Sequence, residues 1–233
     1  MLDSGNAALR ARLLDLVVHQ YNFRNADRRE IDEMVSCAVF RHLGEGNFLY
    51  EAGDPVRGMY FILDGAVNIF CYRKDESVQS WGNLPGGNIL SVYELYRHDR
   101  KHSESVRCIK DSIFACVPID DFFARIVKLP TIAGALLDYM AFIAEDCMQD
   151  VLCVSAADRL SLYFKRQMLY FRRYDMIGGV LSLNRDHFYD EIADMTRLTR
   201  ETVNRELKRL EAEGRIRLTK THIEILDESV IGL

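Results

Sequence analysis

The chain has 233 residues, 48% hydrophobic and 28% charged, enough for one large domain or two modest ones with a real core. That balance excludes a mainly disordered chain, and no apolar run approaches the eighteen residues of a membrane span. A net charge of −5, taken alone, points away from nucleic acid. The N-terminus, with Asp3 and Ser4 early, lacks a secretory layout, so the expected location is the cytoplasm, with no membrane partner. Six scattered cysteines (Cys37, Cys71, Cys108, Cys116, Cys147 and Cys153) include no C-x-x-C pair, which argues against zinc and against a disulfide scaffold.

Ala7 to Val18 reads as an amphipathic helical lead-in. From about Val39 to Pro118 the pattern becomes short β-runs broken by glycines and turn residues. Phe48 to Tyr50 runs into Gly53-Asp54-Pro55. Met59–Leu63 and Ala66–Phe70 flank Asp64-Gly65, a two-residue hairpin signal. Ile113–Val117 is a further run ended by Pro118. Many short strands at such intervals predict a jelly roll or β-roll rather than a parallel sheet.

Beyond Asp120 the period becomes helical. Leu136, Met140, Ile143, Cys147 and Val154 fall near alternating steps of four and three, the seam of a coiled coil. Two readings stay open: a dimerisation helix, favoured because Ala135 to past Arg166 holds no Gly or Pro, or a helix packed on its own domain. Asp150 interrupts the apolar seam.

The C-terminal part carries a different charge. Residues 1–157 net −6, residues 158–233 net +1, and Thr196–Lys220 holds eight basic residues against four acidic. Phosphate binding depends on local charge density, so an acidic protein can carry a DNA-binding face; a solvated helix face has the same look. In residues 185–226, Phe188, Ile192 and Met195 mark one short helix, and Thr196-Arg197-Leu198 a tight turn. Thr199 is a good N-cap for a second helix, in which Val203, Leu207 and Leu210 point inward. Arg200, Glu201, Asn204, Arg205 and Lys208 then share the outer face, and Gly214 ends the helix. Arg215–Leu218 and Ile223–Leu226 alternate as a β-hairpin wing. An arginine fork can pair with guanine O6 and N7, and a carboxylate can accept from cytosine N4, so this face suits double-stranded DNA. An ion pair between Glu201 and Arg205 is the plainer use of two of these residues.

At this point the chain resembles the Crp–Fnr family of bacterial transcription regulators over about residues 35–226. Thr199-Arg200-Glu201-Thr202-Val203-Asn204-Arg205-Glu206-Leu207 looks like the family's recognition helix. Gly53-Asp54-Pro55 with Tyr60–Val67 is similar to the cyclic-nucleotide-binding-like β-roll. The resemblance implies an α+β fold with a jelly-roll or β-roll sensor domain at 1–125, a dimerisation helix at 126–157 and a winged helix-turn-helix at 158–233. It also implies a homodimer, a palindromic operator with TGTGA-like half-sites, RNA polymerase as a partner, and no enzyme activity; no phosphate-cradling glycine loop, H-E-x-x-H or G-x-S-x-G is present. By resemblance, Arg200, Glu201 and Arg205 read bases.

Two positions depart from the family pattern. Val92 stands where nucleotide-binding members hold ribose with a glutamate, and His102 where they hold the cyclic phosphate with an arginine, so cyclic AMP is not the expected effector. Arg197 replaces the glycine usual in the helix-turn-helix turn. The expected effector is a small organic or anionic molecule at Ser91, Val92, Tyr93, His98, His102 and Ser103, with Arg97, Arg100 and Lys101 adding positive charge. A haem sensor using His98, His102, His19 or His42 and a thiol sensor using Cys147 or Cys153 are the alternatives; clustered cysteines for an iron–sulfur centre are missing, since Cys37 stands alone.

Overall fold

The computed structural model of the chain describes residues 2–72, 76, 78–169, 174–184 and 188–231. It is α+β and divides into two compact units, Met1–Gln79 with Asn83–Ala144, and Ser80–Gly82 with Glu145–Leu233. Among the described residues no single helix is long and apolar enough to cross a membrane.

The first unit begins with α1 (Leu2–His19) and α2 (Arg28–Ser36), then, among the described residues, eight strands: β1 (Val39–Leu43), β2 (Phe48–Tyr50), β3 (Gly58–Asp64), β4 (Ala66–Tyr72), β5 (Val78–Pro85), β6 (Ile89–Leu90), β7 (Ser105–Cys108) and β8 (Ser112–Pro118). They form two four-stranded sheets, ordered β1-β8-β3-β6 and β2-β7-β4-β5, with every described pairing antiparallel. Strand β3 is buried on both faces. Tyr60 and Ile62 point between the sheets, with Val67, Ile69, Val106 and Phe114. Met59, Phe61 and Leu63 point the other way, into a core with Leu13, Val17, Met34 and Val35 from the helices. This corrects the hairpin expected at Asp64-Gly65. β3 pairs with β8 and β6, and β4 with β7, so the turn is a corner that passes the chain from one sheet to the other. Gly65 is required there: its φ is +87°, and a Cβ would collide with Ser112 Oγ and the Asp111 carbonyl.

After α3 (Ile119–Ala124) comes α4 (Pro130–Leu152). Proline opens α4, where its missing N–H costs nothing. Glu30 caps the start of α4, its carboxylate accepting from Thr131 N (2.8 Å), Thr131 Oγ1 (2.6 Å) and Ile132 N (3.2 Å). The first turns of α4 are thereby drawn into the core, where Ile132, Ala135 and Leu136 are buried.

The second unit holds the C-terminal part of α4, α5 (Ala156–Leu169), β9 (Tyr174–Ile177), β10 (Val180–Asn184), α6 (Phe188–Thr196), α7 (Arg200–Ala212), β11 (Ile216–Leu218) and β12 (His222–Ile225). The wing expected from sequence is present, but as half of a four-stranded sheet, β11-β12-β10-β9. Residues 185–187, where the sequence motif begins, and the Phe188 side chain lie outside the described residues. Leu160, Phe164, Ile192, Val203, Leu207 and Ile223 form the core of this unit.

The expected seam needs correction at three positions. Leu136 is a core residue and Met140 packs against the same core. Val154 lies beyond the helix, which stops at Leu152; Ser155 starts α5 instead through a reciprocal cap, Asp158 N to Ser155 Oγ (3.1 Å) and Ser155 N to Asp158 Oδ2 (2.9 Å). The exposed apolar stripe of α4 runs one position later, through Leu137, Ala141, Ala144, Met148 and Val151, in steps of four, three, four and three. Ile143 is half-buried and Cys147 exposed beside that stripe. Asp150 is committed elsewhere: with Asp146 it holds Arg166 of α5 (2.8 Å to Asp146, 3.4 Å to Asp150), and it also binds Arg197 at 3.0 Å.

Candidate nucleic-acid interface and sensor site

The outer face of α7 is built by local rules. Thr199 has extended backbone and its hydroxyl accepts from Thr202 N at 3.2 Å, the N-cap expected from sequence. Three residues behind it, Thr196 Oγ1 returns its hydrogen to Ile192 O, and Leu198 N closes onto Ala193 O. Between them Arg197 takes φ +57°, a left-handed conformation that costs a non-glycine residue about 1 kcal/mol. The ion pair with Asp150 holds the Arg197 side chain. At the far end Gly214, φ +71°, closes a Schellman cap, with Gly214 N on Glu211 O and Arg215 N on Leu210 O.

Val203, Leu207 and Leu210 are buried, so the opposite face is fixed. Arg200, Glu201, Arg205 and Lys208 are exposed on it and Asn204 is half-buried. The Arg200 guanidinium stands over the Tyr189 ring at 6.0 Å. Arg205, 71% exposed, reaches Glu206 loosely at 3.8 Å and makes no ion pair with Glu201. Other arginines of the basic stretch are committed to the fold: Arg209 to Glu206 and Glu213, Arg215 to Asp227, Arg217 to Glu224. The local positive charge thus divides between a structural set and a presented set at the N-terminal turns of α7, where helix N–H groups also favour anions.

In the first unit the chain leaves β6 through Ser91, at φ +67°, enters a short 3-10 turn at Glu94–Tyr96, and returns through a loop to His102 and β7. The structure brings Ser91, Tyr93, His102 and Ser103 of the expected pocket together. Ser91 Oγ donates to Tyr50 OH at 3.0 Å, and the hydroxyls of Tyr93 and Ser103 are 2.6 Å apart. Two expected residues stand elsewhere. Val92 belongs to the helix-side core, and His98 is exposed on the loop. The loop's positive charge is also partly spent: Arg97 forks onto Asp99, and Arg100 lies over Phe123 at 4.8 Å.

Sequence reasoning missed the centre of this cluster, Glu94. Its side chain is fully buried, as is that of His102. Oε2 lies 2.5 Å from His102 Nδ1, and Oε1 accepts from Ser103 N (2.7 Å) and Ser103 Oγ (3.0 Å). Burial opposes its ionisation, but these hydrogen bonds outweigh burial and hold the carboxyl below its ordinary range. The His102 ring lies flat on Tyr50, centroids 3.5 Å apart, and its Nε2 is buried without a hydrogen-bond partner. Nearby Glu104 is pushed up to about 7, by burial and by the Glu94 charge. Among the described residues no group of three His, Cys, Asp or Glu could hold a metal ion. The thiols of Cys147 and Cys153 are pushed up, by partial burial first and then by carboxylates that include Asp150, the opposite of what a reactive thiolate needs.

Comparison with known proteins matches both parts. Residues 40–128 match the cyclic nucleotide-binding domain family, and residues 166–230 the Crp-like helix-turn-helix domain family. A cyclic AMP receptor protein of Thermus thermophilus is 25% identical over 218 residues, covering 91% of this chain and 97% of that protein. Among solved structures, FixK2 of Bradyrhizobium japonicum superposes with a TM-score of 0.64 at 18% identity, covering 84% of this chain and 96% of its own. The c-di-GMP responsive regulator CLP of Xanthomonas campestris gives 0.61 at 16% identity, covering 85% and 99%.

Proposed function

The chain belongs to the Crp–Fnr family of transcription regulators, and on that footing we propose a dimeric, effector-responsive regulator that reads an inverted repeat with TGTGA-like half-sites. The working division is a sensor at 1–125, a dimerisation helix at 126–157 and a DNA-binding domain at 158–233, acting in the cytoplasm with RNA polymerase as partner. The observation that carries the reading is the presented face of α7, whose other face is locked in the core and whose ends are both capped. Arg200 and Arg205 read guanines, Glu201 accepts from a cytosine, Asn204 reaches the same groove, and Thr199 and Lys208 approach phosphates. Two copies pair through the exposed stripe Leu137–Ala141–Ala144–Met148–Val151, and twofold symmetry sets the half-sites about 34–36 Å apart.

The effector is a small molecule other than cyclic AMP. Val92 is a core residue that offers no acceptor for ribose hydroxyls, and the donors of His102 and Ser103 are turned onto Glu94. Calorimetry with submillimolar cyclic AMP is expected to show no binding in the β-roll. Selection from random DNA tests the operator. Wild type is expected to enrich an inverted repeat; Arg205→Ala is expected to lose about 1–3 kcal/mol on it and relax one base pair, and Lys208→Ala to weaken all sequences alike. Enrichment of no repeat by wild type, or an unchanged motif with Arg205→Ala, overturns the assignment of α7.

A further inference from the structure

We infer that the sensor unit carries its own anion: the Glu94 carboxylate is a built-in ligand seated in a preformed oxyanion site made by His102 and Ser103. Three donors converge on this one carboxylate, the His102 Nδ1–H at 2.5 Å, the Ser103 N–H at 2.7 Å and the Ser103 hydroxyl at 3.0 Å. The Ser103 hydroxyl also lies 2.6 Å from the Tyr93 hydroxyl, which joins Tyr93 to the same cluster. A fully buried carboxylate is tolerated only when its oxygens are met in this way.

The seat does not depend on Glu94 for its shape. The segment that supplies the donors is pinned by main-chain bonds from the chain between β2 and β3: Gly53 N to His102 O (2.8 Å), His102 N to Asp54 O (2.9 Å) and Val56 N to Arg100 O (2.8 Å). The His102 ring is fixed flat on Tyr50, and its other nitrogen, Nε2, is buried and unpartnered. In this orientation the ring presents Nδ1–H to the carboxylate. Removing the Glu94 side chain therefore leaves the buried His102 Nδ1–H and the part-buried Ser103 donors facing a vacancy, and an unsatisfied buried donor recruits an acceptor that fits. The ligand class follows from the donors: a small oxyanion such as formate, acetate or phosphate. In the wild type that place is taken, so an effector's anionic group has to displace Glu94 or bind elsewhere. This consequence for the effector rests on the sensor reading above, whereas the occupancy of the seat is measured without DNA and stands or falls separately.

The test uses the full chain. Melting temperatures of wild type, Glu94→Ala and Glu94→Gln are measured against sodium formate, acetate and phosphate at ionic strength matched with sodium chloride. Glu94→Ala is expected to melt lower than wild type and to recover by about 3–5 °C when the anion stands at about ten times its Kd, saturably, with wild type unmoved. In amide NMR the Ser103 N–H signal of Glu94→Ala should titrate with the same anion, and adding Ser103→Ala should abolish both responses. Glu94→Gln keeps the shape but removes the negative charge that the three donors meet, so it should melt below wild type and ignore the anions. It also covers the case in which Glu94→Ala does not fold. A Glu94→Gln protein as stable as wild type, or a Glu94→Ala protein that responds to the anions no more than wild type does, overturns the inference.

Discussion

Changing Met148 to Asp separates the two candidate seams of α4. Met148 is 67% exposed in the single chain, on the stripe with Leu137, Ala141, Ala144 and Val151. If a second copy covers it, about 100 Å² of apolar surface leaves water in each protomer, contributing roughly 2.5 kcal/mol at about 25 cal/mol per Å². Twofold symmetry places two such side chains in one interface, so the substitution removes about 5 kcal/mol, which is roughly three to four thousandfold in the dimer dissociation constant. The desolvation of two new carboxylates adds to that loss. Because Met148 makes no contribution to either core, the monomer should remain folded by circular dichroism. Leu136→Ala should behave oppositely: Leu136 is buried in the sensor core, so stability falls by about 2–5 kcal/mol while self-association at equal folded concentration persists. Sedimentation velocity over a dilution series reads both. A Met148→Asp protein that stays dimeric at low micromolar concentration, or a Leu136→Ala protein that becomes a folded monomer, refutes the placement of the stripe.

Asp150→Ala strips a carboxylate from both Arg166 and Arg197, and should lower urea stability by about 1–2 kcal/mol; a double-mutant cycle with Arg197→Ala should show a coupling near 0.5–1 kcal/mol, and strict additivity would sink that pair. Gly65→Ala must both strain a φ of +87° and push into Ser112 and Asp111, so thermal melting should show a loss of at least about 2 kcal/mol, whereas an unchanged melt would mean the corner can relax. Glu104 has a folded value of about 7, above its unfolded one, so the folded state holds the extra proton and stability falls as pH rises from about 4.5 to about 7. Glu104→Gln should flatten that slope and stabilise the protein above pH 7 by up to about 3 kcal/mol; parallel pH curves for the two proteins contradict it.

What could be read from the sequence, and what could not, follows from how far away the deciding contact lies. The N-cap at Thr199, the inward row Val203–Leu207–Leu210 and the stop at Gly214 each depend on residues within one or two helical turns, and each stands where the spacing placed it. The β9–β10 hairpin was equally local, announced by Gly178-Gly179 between Met176-Ile177 and Val180-Leu181, and was overlooked beside the wing motif. Asp64-Gly65 offered the same kind of signal and misled. A turn dipeptide reports that the chain bends, whereas sheet membership is set by what covers the two faces of β3, and both are covered. The seam needed correction at Leu136 and Met140 for a related reason. Positions 136, 140, 143 and 147 carry the same four-and-three spacing as 137, 141, 144 and 148. The docking of the first turns of α4, where Glu30 from a hundred residues away caps Thr131 and Ile132, buries Leu136 and leaves Leu137 exposed. Glu94 is the extreme case. As a letter between Tyr93 and Leu95 it looks like one more surface acid; its role is conferred by donors eight and nine residues on, and by the Tyr50 ring that aims the first of them. Position-by-position matching therefore drew attention to His102 but not to the carboxylate its ring faces, because an anion held internally leaves no trace in the spacing of the residues that hold it.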